Sequence, residues 1–275
     1  MTRRKKRPQR KLQQVTDSSG WTHVVKGPPG TIDARTAGIR LEHEKSAETK
    51  YTLKTYLARF RKHYAPTWQE SSCSQSLSRL LEQEILPAEH IEITQCICLG
   101  LGSMTAGSES SSFELAALIS MLELLGKKHR IQDVIFQDPV FTSLDRAILH
   151  SLGYTVVDTP DAFSKVDGTT FLFAPHLECY HYATALEVAT PALSVGSDLQ
   201  AYVEGLLSSL AENAKKGSCQ IFRNFMRETD SRPMPDFDRT SWCKSTRIHW
   251  LKSKEENVGE SMIEQGIRSM ELVER

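Results

Sequence analysis

The chain has 275 residues, of which 39% are hydrophobic and 25% are charged, proportions that suit one large globular core or two modest ones. Its 34 basic and 34 acidic side chains cancel, so the whole molecule has no field that would gather nucleic acid or a membrane surface. The sequence contains no run of about eighteen apolar residues, so no transmembrane helix is predicted. The basic N-terminus is not followed by the apolar segment of a signal peptide, so we do not expect secretion.

Residues 1–40 are predicted to form a disordered basic tail. Seven of the first eleven residues are basic, and a Gly-Pro-Pro-Gly run at 27–30 follows. Periodic apolar positions are too few for this stretch to fold alone. The basic run fits a nuclear localisation signal or an electrostatic anchor for RNA, and equally a solvated tail with no specific partner. Outside the tail we expect no nucleic-acid binding.

The six cysteines show no Cys-x-x-Cys pairing. Cys96 and Cys98 flank Ile97 in an apolar run, which is typical of small core side chains in a reducing compartment. The predicted location is therefore the cytoplasm, the nucleus or both. Since the cysteines lack a metal-binding spacing, no metal site is predicted.

Residues 41–88 are predicted to be a helical extension that packs on the following domain. Apolar residues from Leu53 to Tyr64 recur on one helical face, predicting a helix over 45–64. A second helix is predicted after Pro66, over 74–86, and Pro87 ends it.

Residues 89–255 alternate between apolar strand patterns and amphipathic helices, which predicts an α/β fold: a Rossmann-like, doubly wound, mostly parallel sheet with helices on both faces. Residues 256–275 are expected to be a C-terminal tail or helix. The predicted strands are 91–99, 134–136, 154–157, 171–174 and 192–195, then two late strands at 219–225 and 247–251, the second as an antiparallel edge.

Capping signals mark the predicted helix ends. A hydroxyl residue followed three positions later by a carboxylate favours a helix start, and a glycine favours the left-handed helix end. The predicted starts are Ser111 with Glu114 and Thr142 with Asp145, the predicted ends are Gly126 and Gly153, and a further helix is expected from Asp198 to Leu210.

In such a sheet, ligands bind beyond the carboxyl ends of the strands, where the strand order reverses. This rule places the turn Gly100, Gly102 and Ser103, the acid Asp138, the base His176 and the turn Gly196, Ser197 and Asp198 at one edge. The glycines let the backbone approach a ligand closely. The predicted cofactor-binding residues are Gly100, Gly102, Ser103, Asp138, Gly196 and Ser197.

The glycine turn leaves several readings open. A dinucleotide fingerprint needs a third small residue where Thr105 stands, and Asp138 lies 38 residues after Gly100 instead of roughly 20. A pyrophosphate cradle is therefore not favoured. A looser turn, as in methyltransferase-like sheets, and a turn needed only for packing both fit. Asp138 fits either a ligand hydroxyl or local capping.

Two histidines are candidate catalytic residues beside Asp138. His176 ends a strongly apolar strand, where an imidazole can act as general acid or base or ligate a metal or haem iron. Alternation on a late strand separates His249 from Ile248 and Trp250, which fits either a polar edge or the far wall of the same cleft. The set His176, Cys179 and His181 matches no standard zinc spacing, and a histidine bound to loop backbone fits as well.

Several motifs occur together in an order that resembles the SRR-like domain, the family of plant "sensitivity to red light reduced" proteins with fungal and animal relatives. The resemblance spans about 90–251, and Gly20 to Val25 is similar to the family's N-terminal region. The motifs are Cys98-Leu99-Gly100-Leu101-Gly102-Ser103, Phe113-Glu114-Leu115-Ala116, Gln137-Asp138-Pro139-Val140-Phe141, Leu152-Gly153, Phe173-Ala174-Pro175-His176 and Ser245-Thr246-Arg247-Ile248-His249-Trp250.

The resemblance implies a non-secreted eukaryotic regulatory protein, associated with circadian and light signalling in plants, haem metabolism in animals or microtubule functions in yeast. It implies no known reaction. Two positions depart from the family pattern: Leu177 stands where a cysteine is usual, and Ser197 where an asparagine is usual.

The sequence therefore predicts a regulatory SRR-like protein with a small-ligand cleft, for which a nucleotide or a tetrapyrrole is a candidate ligand and the cofactor is unknown. One alternative is an S-adenosylmethionine-dependent methyltransferase-like enzyme that uses Gly100 and Asp138. The other is a non-enzymatic protein-interaction module that docks protein partners through the tail and residues 45–86.

Overall fold

The computed structural model describes residues 51–106, 109–200, 203–204 and 214–253, and the strand backbones at 12–16 and 22–26. The chain divides into two units, Met1–Thr49 and Lys50–Arg275. In the first unit, β1 (Leu12–Thr16) and β2 (Thr22–Lys26) pair antiparallel. The sequence predicted no strands in this tail. The rest of the tail and the predicted C-terminal segment 256–275 lie outside the described residues.

The described residues of the second unit form a seven-stranded sheet, which confirms the predicted α/β, mostly parallel fold. Its strand order is β5-β4-β3-β6-β7-β9-β8. β3 to β7 are parallel, and β9 is antiparallel to both of its neighbours. The order reverses between β3 and β6, and this is the switch point of a doubly wound sheet. The strands are β3 (Gln95–Leu99), β4 (Asp133–Gln137), β5 (Thr155–Val156), β6 (Thr170–Ala174), β7 (Leu193–Ser197), β8 (Thr229–Pro233) and β9 (Thr246–Leu251).

The late part of the chain differs from the prediction. Residues 219–225, predicted as a strand, lie inside a helix, Ala214–Glu228. Cys219, Phe222 and Phe225 are buried, and their spacing of three places them on one helical face. The strand predicted at 247–251 is antiparallel, as expected. Its predicted position at the edge of the sheet is wrong, because β8 lies outside it.

From residue 51 onward, two helical segments precede the sheet. The first is helical over residues 53–69, past Pro66, so the predicted end at residue 64 is wrong. Residues 72–85 form the second segment. Each contains one π-helical turn, Phe60–Tyr64 and Leu81–Ile85. We call these segments α1 and α2. Their buried side chains join the same hydrophobic core as strands β3, β4 and β6, while the predicted domain boundary at residue 88 stays a prediction.

Four further helices with full bounds in the described residues flank the sheet: α3 (Glu109–Leu125), α4 (Ser143–Ser151), α5 (Cys179–Val188) and α6 (Ala214–Glu228). The side chains of α3 and α4 share the core with α1 and α2. On the other face, the Tyr182 ring of α5 lies 6.3 Å from the Phe222 ring of α6. None of the helices in the described ranges is long and apolar enough to cross a membrane.

The helix ends give a mixed result for the capping signals. Thr142 and Asp145 form the predicted capping box of α4, and Gly153 after it has a left-handed φ of 88°. The predicted box at Ser111 is wrong, because α3 already begins at Glu109 and both Ser111 and Glu114 are buried within it. Gly126 is not left-handed. The predicted helix 198–210 lies mostly outside the described residues.

Candidate functional site

The glycine turn after β3 lies at the switch point of the sheet. Gly100 and Gly102 have φ values of 73° and 77°, in the region that disfavours residues with a Cβ. A Cβ on Gly100 would lie 3.1 Å from Leu177 Cδ1, and one on Gly102 would lie 2.9 Å from Ser111 Oγ. The glycines therefore serve the close packing of β3, β6 and α3.

Asp138 follows β4 and contacts this turn, so the structure brings together two residues that the sequence assigned to one site. Its side chain is buried, one oxygen accepts the Gly102 N–H at 2.7 Å, and the other accepts the Val140 N–H at 2.9 Å. Burial raises the pKa of this carboxyl, and the two backbone hydrogen bonds oppose that shift. In this geometry Asp138 holds the turn.

Asp145, in the first turn of α4, is the residue that sequence reasoning missed. It has no exposed surface, and its carboxylate accepts six hydrogen bonds. They come from Ser103 Oγ, Met104 N, Thr105 N, Thr105 Oγ1, Thr142 N and Thr142 Oγ1. The capping signal found its contacts with Thr142, but no sequence signal pointed to the loop at 103–105.

Five of the backbone N–H groups at residues 100–106 donate hydrogen bonds within the protein. Gly100 N donates to Gln137 O at 3.2 Å, Gly102 N donates to Asp138, and Ala106 N donates to Ser103 Oγ at 2.9 Å. Phosphate sites at glycine turns depend on such N–H groups being free. These five N–H groups are therefore not free to bind a pyrophosphate.

Acidic groups surround the turn. Glu114 in α3 is buried with Ser110 Oγ at 2.9 Å from its Oε1. Burial raises the pKa of Glu114 to about 7, and the nearby Asp138 adds to the shift. Together with Asp138 and Asp145, it makes this region unfavourable for an anion and favourable for a neutral or cationic group.

His176 is an exposed residue at the carboxyl edge of β6. Partial desolvation lowers the pKa of its imidazole, and a hydrogen bond with the Trp242 backbone opposes that shift. The next residue, Leu177, packs on Gly100. His176 is therefore close to the glycine turn and also to the β8–β9 loop, which carries Trp242.

The β8–β9 loop, residues 234–245, covers part of the carboxyl edge. The Trp242 ring lies 6.2 Å from Phe173 of β6 and 5.8 Å from Trp68 of α1. The Phe237 ring lies 5.1 Å from Phe113 of α3. Aromatic side chains from this loop thus bridge the two sides of the switch point, where the sequence predicted an open cleft.

A groove of about 930 Å³ lies beside this aromatic layer, between the α1–α2 turn and the β8–β9 loop. Hydroxyl and charged side chains dominate its lining. Sequence reasoning missed it because its two walls are far apart in the chain. The groove is lined by Thr67, Glu70, Ser71, Ser72, Asp236, Phe237, Asp238, Arg239, Thr240, Ser241 and Lys244.

His249 lies away from the edge. It is opposite Ser194, near the start of β7, and its ring packs 5.0 Å from the Phe225 ring of α6. The residue is 2% exposed, and neither ring nitrogen has a hydrogen-bond partner within the described part of the chain. Burial, with a smaller effect of Arg247, lowers the pKa of His249 to about 4.

The second predicted turn, Gly196 and Ser197, belongs to the last residues of β7. A Cβ on Gly196 would lie 2.6 Å from Tyr182 Cζ, so the glycine admits the Tyr182 ring of α5. Ser197 is opposite Thr246 of β9. Asp198 follows, with an oxygen 3.8 Å from Arg247 Nη1.

The three residues weighed as metal ligands do not converge. His176 is exposed, whereas His181 is buried with its ring 6.0 Å from Phe163. Among the residues that the structure describes, no group of three or more His, Cys, Asp or Glu side chains is arranged to hold a metal ion.

Comparison with known proteins gives a family and a distant structural likeness. A provisionally assigned O-methyltransferase from Klebsiella pneumoniae is 12% identical with a TM-score of 0.37, over 78% of this chain and 97% of that chain. The Thermoplasma acidophilum protein 1320 is 11% identical with a TM-score of 0.33, over 71% of this chain and 98% of that chain. Neither likeness bears on what this chain does.

No curated protein matches the chain. The family model described as the SRR1 domain matches residues 73–250. That span includes the glycine turn, Asp138, Asp145, His176 and the β8–β9 loop. The chain belongs to the SRR1 domain family.

Proposed function

We propose that this SRR1-domain chain is a regulatory protein that binds a small ligand at the carboxyl edge of its sheet. One observation supports the proposal: the exposed residue His176 precedes Leu177, which packs on Gly100, and it has a hydrogen bond with the backbone of Trp242 in the β8–β9 loop, which forms one wall of the polar groove. Ligands of doubly wound sheets bind at this edge.

The contacts of the edge restrict the chemistry of the ligand. Several N–H groups of the turn and the following loop are bound to Asp138, Asp145 and other protein acceptors, and three buried carboxyl side chains, Glu114, Asp138 and Asp145, lie nearby. A ligand is therefore expected to present hydroxyl, amine or other uncharged or cationic groups here. A nucleotide would use its base and sugar, and a tetrapyrrole would use the imidazole of His176 as a ligand to its metal.

A methyltransferase-like enzyme is the second candidate. The sulfonium of S-adenosylmethionine is a cation, and the acidic surroundings formed by Glu114, Asp138 and Asp145 would stabilise a cation more than a pyrophosphate. Protein that retains S-adenosylmethionine or its demethylated product through purification, detected by mass spectrometry, would favour this candidate over a purely regulatory role.

A protein-interaction module is the third candidate. Two large apolar side chains are exposed near the carboxyl edge, Val140 at 47% and Tyr180 at 69%. A partner that buries both would gain apolar contact area. Deletion of residues 1–40 separates this possibility from docking through the basic tail, because partner recovery would then survive the deletion.

The experiment that tests the ligand proposal is a thermal-shift screen of the full chain with adenosine, S-adenosylmethionine and haem. A compound that binds the edge should raise the melting temperature of the wild type and lose most of that effect in His176→Ala. His150→Ala is the matched control, since His150 is also exposed but lies at the end of α4, bonded to Tyr154 O. Failure of every compound to stabilise the wild type contradicts the proposal for these ligand classes.

The pathway is a separate proposal. A role in circadian or light signalling, haem metabolism or cytoskeletal regulation follows only from the resemblance. Stabilisation by haem that depends on His176 would support the second of these roles over the others.

A further inference from the structure

Two buried cysteine thiols lie close to each other, next to residues that line the polar groove. Cys73 lies in the first turn of α2 and Cys243 lies in the β8–β9 loop, and their Sγ atoms are 4.0 Å apart. Both residues are almost fully buried, at 1% and 2% exposure. Cys73 Sγ also lies 3.1 Å from Pro235 O, to which its S–H donates. The pair therefore joins α2 to both ends of the same loop.

The two cysteines are next in sequence to residues that line opposite walls of the groove. Cys73 follows the wall residues Ser71 and Ser72, while Cys243 precedes the wall residue Lys244. A bond between them would connect the two walls of the groove. Because the cysteines are 170 positions apart, such a bond would also close a very long loop of the chain.

We propose that Cys73 and Cys243 form a reversible disulfide under oxidising conditions, and that this bond locks the β8–β9 loop onto α2. The inference concerns the loop and does not depend on the ligand proposed above. In the reduced state the loop is held to the rest of the chain by noncovalent contacts only and can open. In the oxidised state a covalent bond fixes the two groove walls relative to each other.

The chemistry balances with a peroxide as the oxidant. One thiol reacts with hydrogen peroxide to give a sulfenic acid and water, and the second thiol then displaces water to form the S–S bond. The two sulfurs must approach from 4.0 Å to about 2.05 Å. The hydrogen bond with Cys73, together with burial, raises the pKa of Cys243, so the reaction requires a local opening of the loop, several of whose residues are exposed.

The test is peptide mapping of the full reduced chain after treatment with hydrogen peroxide under native conditions. A peptide pair containing residues 73 and 243, lighter by two hydrogen atoms and cleaved by dithiothreitol, is expected. The oxidised protein should melt on the order of 5–10 °C higher than the reduced protein. Cys73→Ala and Cys243→Ala should each abolish both results, and alanine avoids burying a new hydroxyl.

Cys179→Ala is the control variant, because Cys179 is partly exposed and lies outside the pair. It should still form the crosslink and show the full rise in melting temperature. The proposal is overturned if peroxide modifies Cys179 of the folded wild type but yields no peptide pair containing 73 and 243. It is also overturned if that pair appears only after unfolding in urea.

Discussion

The hydroxyl of Ser103 donates a hydrogen bond of 2.7 Å to Oδ2 of Asp145, although the two residues are 42 positions apart. Asp145 also accepts the N–H and the hydroxyl of its own helix cap, Thr142. A single buried carboxylate thus begins α4 and fixes the loop after the glycine turn. The shape of the carboxyl edge depends on this residue more than on any of the predicted site residues.

Asp145→Ala is therefore expected to be strongly destabilising. It leaves six donors without their acceptor, and hydrogen bonds to a buried charged group are the strongest class. The expected loss in the free energy of unfolding is about 3–5 kcal/mol, measured by urea unfolding. Asp158→Ala, at an exposed ion pair with Arg146, should lose less than about 1 kcal/mol. Equal losses in the two variants would contradict this account of Asp145.

The sheet could be predicted because its strands are local apolar runs. The runs around Cys96 to Cys98, Ile135 to Phe136 and Phe171 to Ala174 are buried on both faces, as a parallel sheet requires. Because these strands alternate with helices, they run parallel, and the turns that follow them lie at the same carboxyl edge. This is why Gly102 and Asp138 were assigned to one site before the contact between them was known.

The features that could not be predicted depend on contacts between distant parts of the chain, which leave no local pattern in the sequence. The run 219–225 contains apolar residues that suit a strand or a helix, and only its packing on Tyr182 decides for the helix. His249 was expected at the cleft because alternation separates it from Ile248 and Trp250. Alternation cannot show that α6 covers its face of the sheet. The polar groove likewise joins segments more than 160 residues apart in the chain.

Gly196→Ala tests whether this glycine is required by packing. The new Cβ would meet the Tyr182 ring, whose hydroxyl bonds Ser194 Oγ at 2.6 Å. Overpacking of this kind is expected to lower the free energy of unfolding by about 1–3 kcal/mol. Gly168→Ala, where nothing lies within 4 Å of the new Cβ, should change it by less than about 0.5 kcal/mol. The Gly196→Ala loss should shrink in a Tyr182→Leu background, which removes the ring atoms nearest to the new Cβ, and an unchanged loss there would show that Tyr182 is not the cause.

Glu114 should make the protein less stable as the pH rises from 4.5 to 7. Burial raises its pKa in the folded protein from the ordinary 4.5 to about 7, so in this range the folded state binds more protons than the unfolded state. The penalty is absent below the lower value and complete above the upper one, at about 3 kcal/mol. Glu114→Gln keeps an acceptor for Ser110 and removes the ionisation. Its stability relative to wild type should rise across this window in urea unfolding, and a constant difference would show that Glu114 is not buried as described.

His249 should have the opposite dependence on pH. Burial lowers its pKa in the folded protein from 6.5 to about 4, so the unfolded state binds more protons between these values. The stability that it contributes is complete above 6.5 and is lost as the pH falls toward 4, by about 3 kcal/mol. His249→Phe removes two ring nitrogens that have no partner among the described residues and keeps an aromatic contact with Phe225. The variant should match or exceed the wild type at pH 7.5, and its advantage should grow at pH 4.5. If the variant instead becomes less stable than the wild type at both pH values, the imidazole has a hydrogen-bond partner that stabilises the fold, and His249 would again be a candidate for a functional role.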